Sequence, residues 1–465
     1  MTTQRWTLLV VSAATAMLML DIAVVNTALS DIATDLDTGL GGLQWVVDAY
    51  TLALATTVLT AGAIADRLGR RRVFAVGIVI FTLASLAAAM AGSIETLNTA
   101  RAVQGVGGAI LFAVSLALLA NAYPNEGERA KALAVYGATI AGSFAIGPAV
   151  GGALTSGLSW EWIFLVNVPI GIAGLWATLT KVEESRDPRA RPNDWPGQIA
   201  LTGALSLLVL ALLRGNEDGW TSPLIVAELV GAGVFSLAFL AIESRVRNPM
   251  LPLRFFRNRA FTGAQIAAFA ISGSFFAVFI YTTLYLQQIL GLSAIEAGLV
   301  YLPGTLAMFV VSGATANLSE KVHPGVLISA GLALVAAGMA MLTVADASSS
   351  WMVALPGTIV AMIGTGMFNP AVIAVALGNA PAEQSGLAAG VNDTFRQAGI
   401  AVGVAALGAM IPAEAALGGG SPAEYVDGLQ TALWAGAGLA AAGAVAAALL
   451  ILRRAPAPAA VPAQA

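Results

Sequence analysis

The chain has 465 residues, of which 58% are hydrophobic and only 10% are charged. A soluble protein carries about 25% charged residues, so the composition excludes a soluble domain and predicts an all-α polytopic membrane protein. There is no cysteine and a single histidine, His323, which excludes disulfides, thiolate metal sites and histidine-based metal centres. The net charge of −4 says little by itself, and we expect no metal, no bound cofactor and no nucleic-acid partner.

Fourteen segments contain the roughly 20 apolar residues that a membrane-spanning helix needs. They lie near 7–29, 44–64, 73–92, 97–120, 131–154, 162–180, 196–213, 223–242, 260–286, 296–316, 324–344, 352–377, 386–410 and 429–452. An even number of spans places both termini on the same side of the membrane. The first segment is interpreted as a span and not as a removed signal peptide, since no small-residue cleavage site follows it.

The distribution of Lys and Arg predicts the orientation. With the N-terminus inside, nineteen of the 22 basic residues fall on the cytoplasmic side and only Arg214 falls near the outside. Arg101 and Arg396 remain within spans. We therefore expect a multi-pass protein of the bacterial cytoplasmic membrane with both termini cytoplasmic.

A dense charged loop at 62–72, with the sequence G-A-I-A-D-R-L-G-R-R-R, joins the second and third spans. Glycines at its start and before its last arginines allow a tight turn and close packing. Asp66 could lie at a helix end facing Arg70 and hold one conformation, while the alternative is a solvated loop that only sets topology. The residues of this predicted conformational lock are Gly62, Asp66, Arg67, Gly69 and Arg70.

The two halves of the chain repeat. Gly105-x-Gly107 with a following Pro124 resembles Gly364-x-Gly366 with a following Pro381. The repeat predicts six-helix halves at 1–181 and 260–453, an inserted two-helix linker at 182–259 and a disordered tail at 454–465. Paired halves with a site between them are typical of transporters.

Charged residues inside membrane spans are energetically costly, so each of them is a candidate functional residue. Asp21 in span 1, Asp48 in span 2 and Arg101 in span 4 all lie in the outer half of the membrane. Asp21 is the first candidate for a proton-carrying carboxylate, because burial and a nearby arginine would shift its protonation in opposite directions. A permanent Asp21–Arg101 ion pair that only fixes packing remains open, and Asp48 could instead reach the outer interface.

Two further charges, Asp393 and Arg396, lie three residues apart in span 13 and thus on one helical face. They could pair with each other. The alternative is that Asp393 docks on the Asp66/Arg70 lock when the inner gate is shut.

Span 5 carries Gly142, Gly147, Pro148, Gly151 and Gly152. Small residues let helices approach closely, and a proline frees a backbone carbonyl and permits a kink. The pattern predicts a tightly packed hinge, or close packing alone.

Aromatic and Met-bearing spans could line an adaptable substrate cavity, although such side chains are more often lipid-facing or core. The candidates for the cavity are Asn26, Gln104, Phe275, Phe279, Tyr281, Met367 and Phe368.

Together these motifs resemble the fourteen-span drug/proton antiporter family of the major facilitator superfamily over essentially the whole chain. The matching segments are L-D-I-A-V-V-N-T-A-L in span 1, Q-W-V-V-D-A-Y in span 2, the 62–72 loop, R-A-V-Q-G-V-G-G, G-P-A-V-G-G, W-I-F-L-V-N-V-P-I-G and F-R-Q-A-G. The sequence departs from the family at Glu161, where many relatives have arginine, and in the degraded second-half loop near Lys321.

The resemblance implies the major facilitator fold and proton-driven efflux of lipophilic, often cationic drugs by alternating access. It implies a proton-responsive carboxylate at Asp21, a buried arginine at Arg101 and an antiporter signature at Gly147 to Gly152. The expected partners are a small-molecule substrate, protons and the lipid bilayer, in a monomer that is not an enzyme. A dedicated exporter of one antibiotic or metabolite is the alternative, and a receptor or passive channel is disfavoured by the repeat and the lock motif.

Overall fold

The computed structural model describes residues 2–187, 192–318, 321–380, 384–416 and 420–452. Each of the fourteen predicted spans coincides with a helix. These are α1 (Thr3–Asp35), α2 (Leu40–Leu68), α3 (Arg70–Ala89), α4 (Ile94–Ala122), α5 (Glu126–Gly157), α6 (Trp162–Lys181), α7 (Trp195–Asp218), α8 (Pro223–Arg245), α9 (Arg259–Ile289), α10 (Ala294–Leu318), α11 (Pro324–Leu342), α12 (Ala354–Gly378), α13 (Ser385–Gly408) and α14 (Pro422–Leu452).

Thirteen of these helices in the described ranges are long and apolar enough to cross a membrane. The fourteenth, α13, has 24 residues but carries several polar and charged side chains, which lower its hydropathy. Most helices extend several residues beyond the predicted spans, because side-chain and backbone caps continue them past the apolar core. The Thr2 hydroxyl, for example, accepts from the backbone N–H of Arg5 and starts α1.

Helices α1 to α6 pack mainly among themselves, as do α9 to α14, and the strongest contacts between these two groups are α5 with α10 and α2 with α13. We call the two groups the first half and the second half. Helices α7 and α8 pack against each other, and α7 contacts both α2 and α13. The predicted tail at 454–465 lies outside the described residues, and the predicted domain limits remain predictions.

The end of the bundle that carries the 62–72 loop is called here the arginine-rich end, and the other is the opposite end. Five hydrogen bonds join the halves among the described residues, and all lie towards the opposite end. They join Gln44 to Tyr281, Gln287 to the Thr27 carbonyl, Gln288 to Ser30, the Ile295 N–H to Ser156, and Thr305 to the Ala145 carbonyl.

The space around the glycines of α5 and α10 differs along the two helices. A Cβ built on Gly142 would lie 3.8 Å from the ring of Phe309, whereas no atom would lie within 4 Å of one built on Gly137 or Gly313. The hydrogen bonds between the halves thus lie towards the opposite end, whereas near the arginine-rich end α2 and α13 make apolar contact, since a Cβ on Gly390 would lie 2.8 Å from Leu59.

The linker between α8 and α9 packs into the protein. Met250, Leu251 and Phe255 are each less than 10% exposed, and the Phe255 ring lies 5.2 Å from that of Phe261. Its basic and aromatic pattern predicts either a segment on the membrane surface or a simple connector, and both interpretations stay predictions. Its buried apolar side chains pack beside α9.

Candidate functional site

A buried polar network connects α1, α3, α4 and α6. The Arg101 guanidinium donates to the Asp21 carboxylate at 2.5 Å, and Gln104 and Asn167 donate to its other oxygen at 2.7 and 3.0 Å. Ser85 accepts from Gln104 at 2.9 Å and from Asn167 at 3.4 Å. All five side chains are at most 2% exposed, so the network is closed to bulk water.

The guanidinium of Arg101 is further held by the backbone and by aromatic rings. Its Nε donates to the Val46 carbonyl at 3.0 Å, and its Cζ lies 4.3 Å from the Tyr50 ring centroid and 5.6 Å from that of Phe164. Ring faces attract cations, so these contacts stabilise a charge that would otherwise be costly inside the membrane. The ion pair between Asp21 and Arg101 that the sequence suggested is thus present in the structure.

Sequence reasoning placed Gln104 in the substrate cavity, but the structure places it inside this network. It missed Ser85 and Asn167 altogether. Asn167 lies within the W-I-F-L-V-N-V-P-I-G segment, so its polar amide in an apolar motif was the available signal. Ser85 is one of many small hydroxyl residues in the spans and carries no comparable signal.

The Asp48 carboxylate differs sharply from that of Asp21. It is fully buried, and neither of its oxygens has a hydrogen-bond partner. It lies one turn from Gln44, whose amide donates to the Tyr281 hydroxyl at 2.9 Å across the two halves. An ionised carboxylate without a counterion is costly in such a place.

The 62–72 loop is held by a short ion pair and by the segment that follows α6. The Arg70 guanidinium donates to the Asp66 carboxylate at 2.8 and 2.9 Å, so the predicted contact of Asp66 with Arg70 is present, across the turn between α2 and α3. Gly69 has φ +113°, a conformation that side-chain-bearing residues rarely adopt. Arg67 is exposed, and Gly62 packs loosely beside Ala113.

Glu184 caps α3 from outside the motif. Its carboxylate accepts from the backbone N–H groups of Arg71 and Arg72 at 3.0 and 3.3 Å. The Arg70 N–H donates to the Ser185 carbonyl at 2.8 Å, so the stretch of chain after α6 fastens the loop to the first half. This contact links residues more than 110 positions apart, and no local sequence signal indicates it.

The glycines of α5 contact two different helices. Cβ atoms on Gly147 and Gly151 would collide with α1, at Ala23 and at Val24, while one on Gly152 would collide with the backbone of Ile295 in α10. Pro148 sits beside Gly298 at the same crossing. The predicted motif therefore lets α5 approach both its own half and the other half.

The comparisons with known proteins agree with this architecture. The sequence profile of the Major Facilitator Superfamily matches residues 11–404. The chain belongs to the Major Facilitator Superfamily. It is thus a membrane transporter and not an enzyme.

Two curated members of this superfamily are similar over most of their length. Multidrug resistance protein Stp of Mycobacterium tuberculosis (strain CDC 1551 / Oshkosh) is 37% identical over 414 residues, which cover 88% of this chain and 76% of Stp. Methylenomycin A resistance protein of Streptomyces coelicolor is 37% identical over 398 residues, covering 85% and 83% of the two chains. A crystal structure of peptide transporter POT superposes with a TM-score of 0.69 at 14% identity, covering 96% of this chain and 94% of that one, which shows the shared fold.

In this major facilitator chain, Asp393 is buried in α13, and its docking on the Asp66/Arg70 lock when the inner gate is shut stays a prediction. Asp393 is 4% exposed, and its Oδ2 has no hydrogen-bond partner. Among the described residues, no ion pair joins Asp393 to Arg396 or to the 62–72 loop. Asp393 lies eight residues inside α13, roughly 12 Å from the helix start.

The predicted cavity residues divide between packing and polar roles. Phe368 is fully buried beside Gly331, and the Phe279 ring stacks 4.2 Å from that of Tyr301. Phe275 is buried and Met367 half-buried. The Tyr281 hydroxyl donates to the Val404 carbonyl, and Asn26 donates to the Ile22 carbonyl at 3.3 Å while its Oδ1 stays unpartnered.

Proposed function

We propose that this transporter expels lipophilic, often cationic compounds from the bacterial cytoplasm in exchange for protons. The similarity to a multidrug resistance protein and to an antibiotic resistance protein supports efflux. The proposal needs no bound cofactor, since the proton gradient supplies the driving force. We further propose that the protein is a monomer in the cytoplasmic membrane with both termini inside the cell.

The distribution of hydrogen bonds between the halves supports alternating access. If the arginine-rich end faces the cytoplasm, as the positive-inside rule predicts, the five inter-half hydrogen bonds close the outer side. We infer that a substrate for export enters from the arginine-rich side, where no hydrogen bond joins the two halves among the described residues.

The observation that carries the proton-coupling proposal is the buried Asp21–Arg101 pair at 2.5 Å. A carboxylate held by one arginine and two amides changes its environment strongly if a substrate or a rocking motion displaces the arginine. Protonation would then stabilise the freed carboxyl group. Asp48, buried without a partner, is the second carboxyl group that could carry the proton.

The test uses everted membrane vesicles loaded with a pH-sensitive dye, energised and then given ethidium. Wild-type protein should collapse part of the proton gradient in a drug-dependent way, and Asp21→Asn should abolish that response. Asp31→Asn is the matched control, because Asp31 lies on the same helix but is exposed at the opposite end. Ethidium transport without proton movement, or an unimpaired Asp21→Asn variant, would contradict the mechanism.

Asp48→Asn separates the two carboxyl groups. If Asp48→Asn loses proton movement while Asp21→Asn behaves normally, Asp48 is the coupling carboxyl group. The Asp21–Arg101 pair then only stabilises helix packing. Loss in both would indicate that both participate.

Export of a single antibiotic is the second candidate function, and the methylenomycin A resistance protein favours it. Growth of an efflux-deficient host with a panel of chemically diverse antibiotics distinguishes the two. Protection against several unrelated lipophilic cations supports the broad pump, while protection against one compound supports the dedicated exporter.

A further inference from the structure

Helix α7 of the inserted pair lies across the seam where α2 of the first half meets α13 of the second half. In its outward part, Val209 is fully buried together with Ala401 and Ala405 of α13, and Trp45 of α2 packs against the same cluster. This contact covers both sides of the seam near the opposite end.

Each end of α7 is hydrogen-bonded to a different half. At the arginine-rich end the Thr60 hydroxyl of α2 donates to the Gln198 side-chain carbonyl at 2.5 Å, and both residues are less than 10% exposed. At the opposite end the Asn216 amide donates to the carbonyl of Ala409, just after α13. The Trp220 indole donates to Asn216 at 2.9 Å and orients that amide.

The linker after α8 ties the inserted pair to the second half. The Arg254 guanidinium donates to Gln384 at 2.8 Å, and the Asn258 amide donates to Asn379 at 3.0 Å. The Phe256 ring also lies 5.8 Å from the ring of Phe395 in α13. Among the described residues, Thr60–Gln198 is the one side-chain hydrogen bond that joins α7 or α8 to the first half.

We infer that the inserted pair moves with the second half and that the Thr60–Gln198 hydrogen bond is a latch that the transporter releases in each cycle. Rocking of the halves shifts α2 relative to α13, and α7 cannot keep both of its attachments unchanged. Helix α7 packs on α2 and on α13 to a similar extent. The linker after α8 adds the hydrogen bonds of Arg254 and Asn258 to the second half, so the buried Thr60–Gln198 bond is the one that opens. Gln198 is thus a positioning residue that stabilises the arrangement closed at the opposite end.

The chain contains no cysteine, so paired cysteines can test this inference directly. Every variant carries Ser30→Cys as a reporter, because Ser30 hydrogen-bonds to Gln288 across the closed opposite end. The rate at which this thiol reacts with a maleimide in detergent-purified protein reports opening of that end. The readout needs neither substrate nor protons, so its result is independent of the proposed drug and proton activities.

Cross-linking Thr60→Cys to Gln198→Cys should slow labelling at the reporter at least tenfold, and reduction should restore it. Cross-linking Asn216→Cys to Ala409→Cys, the matched control at the other end of α7, should leave the rate within twofold of the reduced protein. In a separate measurement without cross-linking, Gln198→Leu should raise the labelling rate about fivefold, as expected for the loss of one hydrogen bond.

Equal labelling of the cross-linked and reduced Thr60/Gln198 pair would overturn the latch. Slower labelling after cross-linking Asn216 to Ala409 would overturn the assignment of the pair to the second half. An unchanged rate in Gln198→Leu would also overturn the latch, even if the engineered disulfide forms poorly.

Discussion

The energetic coupling between Asp21 and Arg101 gives a prediction that can be worked from the structure. Both side chains are at most 2% exposed, and Nη1 of Arg101 lies 2.5 Å from the carboxylate. Removing one member of a buried ion pair costs roughly 3–5 kcal/mol, because the other charge stays buried without its partner. Arg101→Met, which keeps much of the side-chain volume, should therefore lower the free energy of unfolding by about that amount.

The double variant Asp21→Asn/Arg101→Met should recover most of the loss. The neutral side chain introduced at position 21 can still accept from the amides of Gln104 and Asn167, and no charge remains buried. The expected coupling energy in the double-mutant cycle is about 2 kcal/mol or more. The assay is the thermal unfolding midpoint of the detergent-purified protein, with Asp31→Asn as an exposed control on α1.

Additive losses in the double variant would refute this reasoning, since they would show that the two side chains do not stabilise each other. An Arg101→Met variant as stable as wild type would refute it too. Either result would mean that the buried charges are compensated by groups other than the observed partners.

Three further predictions concern helix packing, helix capping and a hydrogen bond between the two halves. Gly152→Ala should impair transport, since its Cβ would meet the α10 backbone, whereas Gly142→Ala has ordinary space and should be nearly neutral; transport assays at matched expression check this. Glu184→Gln should weaken the cap of α3 by about 1 kcal/mol and raise protease cleavage near the 62–72 loop, and unchanged cleavage would contradict the capping role. Tyr281→Phe removes the hydroxyl that accepts from Gln44, so labelling of a cysteine reporter at the opposite end should rise about fivefold per lost hydrogen bond; an equal rate would show that this contact does not hold the halves together.

The helices were predictable from local sequence patterns. Each of the fourteen apolar segments has the length that a membrane requires. In lipid, a helix satisfies the backbone hydrogen-bonding groups within a single segment. Even the least apolar of them, α13, is predictable, because its flanking loops and its place in the repeat indicate a span. The Asp66–Arg70 contact was predictable because the two charges are close in sequence, and the tight turn at Gly69 between α2 and α3 brings them together.

The tertiary structure determined which residues from distant parts of the chain contact each other. Asp21 and Asp48 are both aspartates inside consecutive helices, α1 and α2, yet one is saturated with hydrogen bonds and the other has none. Helix rotation and packing set that difference, and a sequence pattern gives only the approximate depth of each residue. The capping of α3 by Glu184 and the placement of α7 over the seam likewise depend on how whole helices dock, because they join residues more than 100 positions apart.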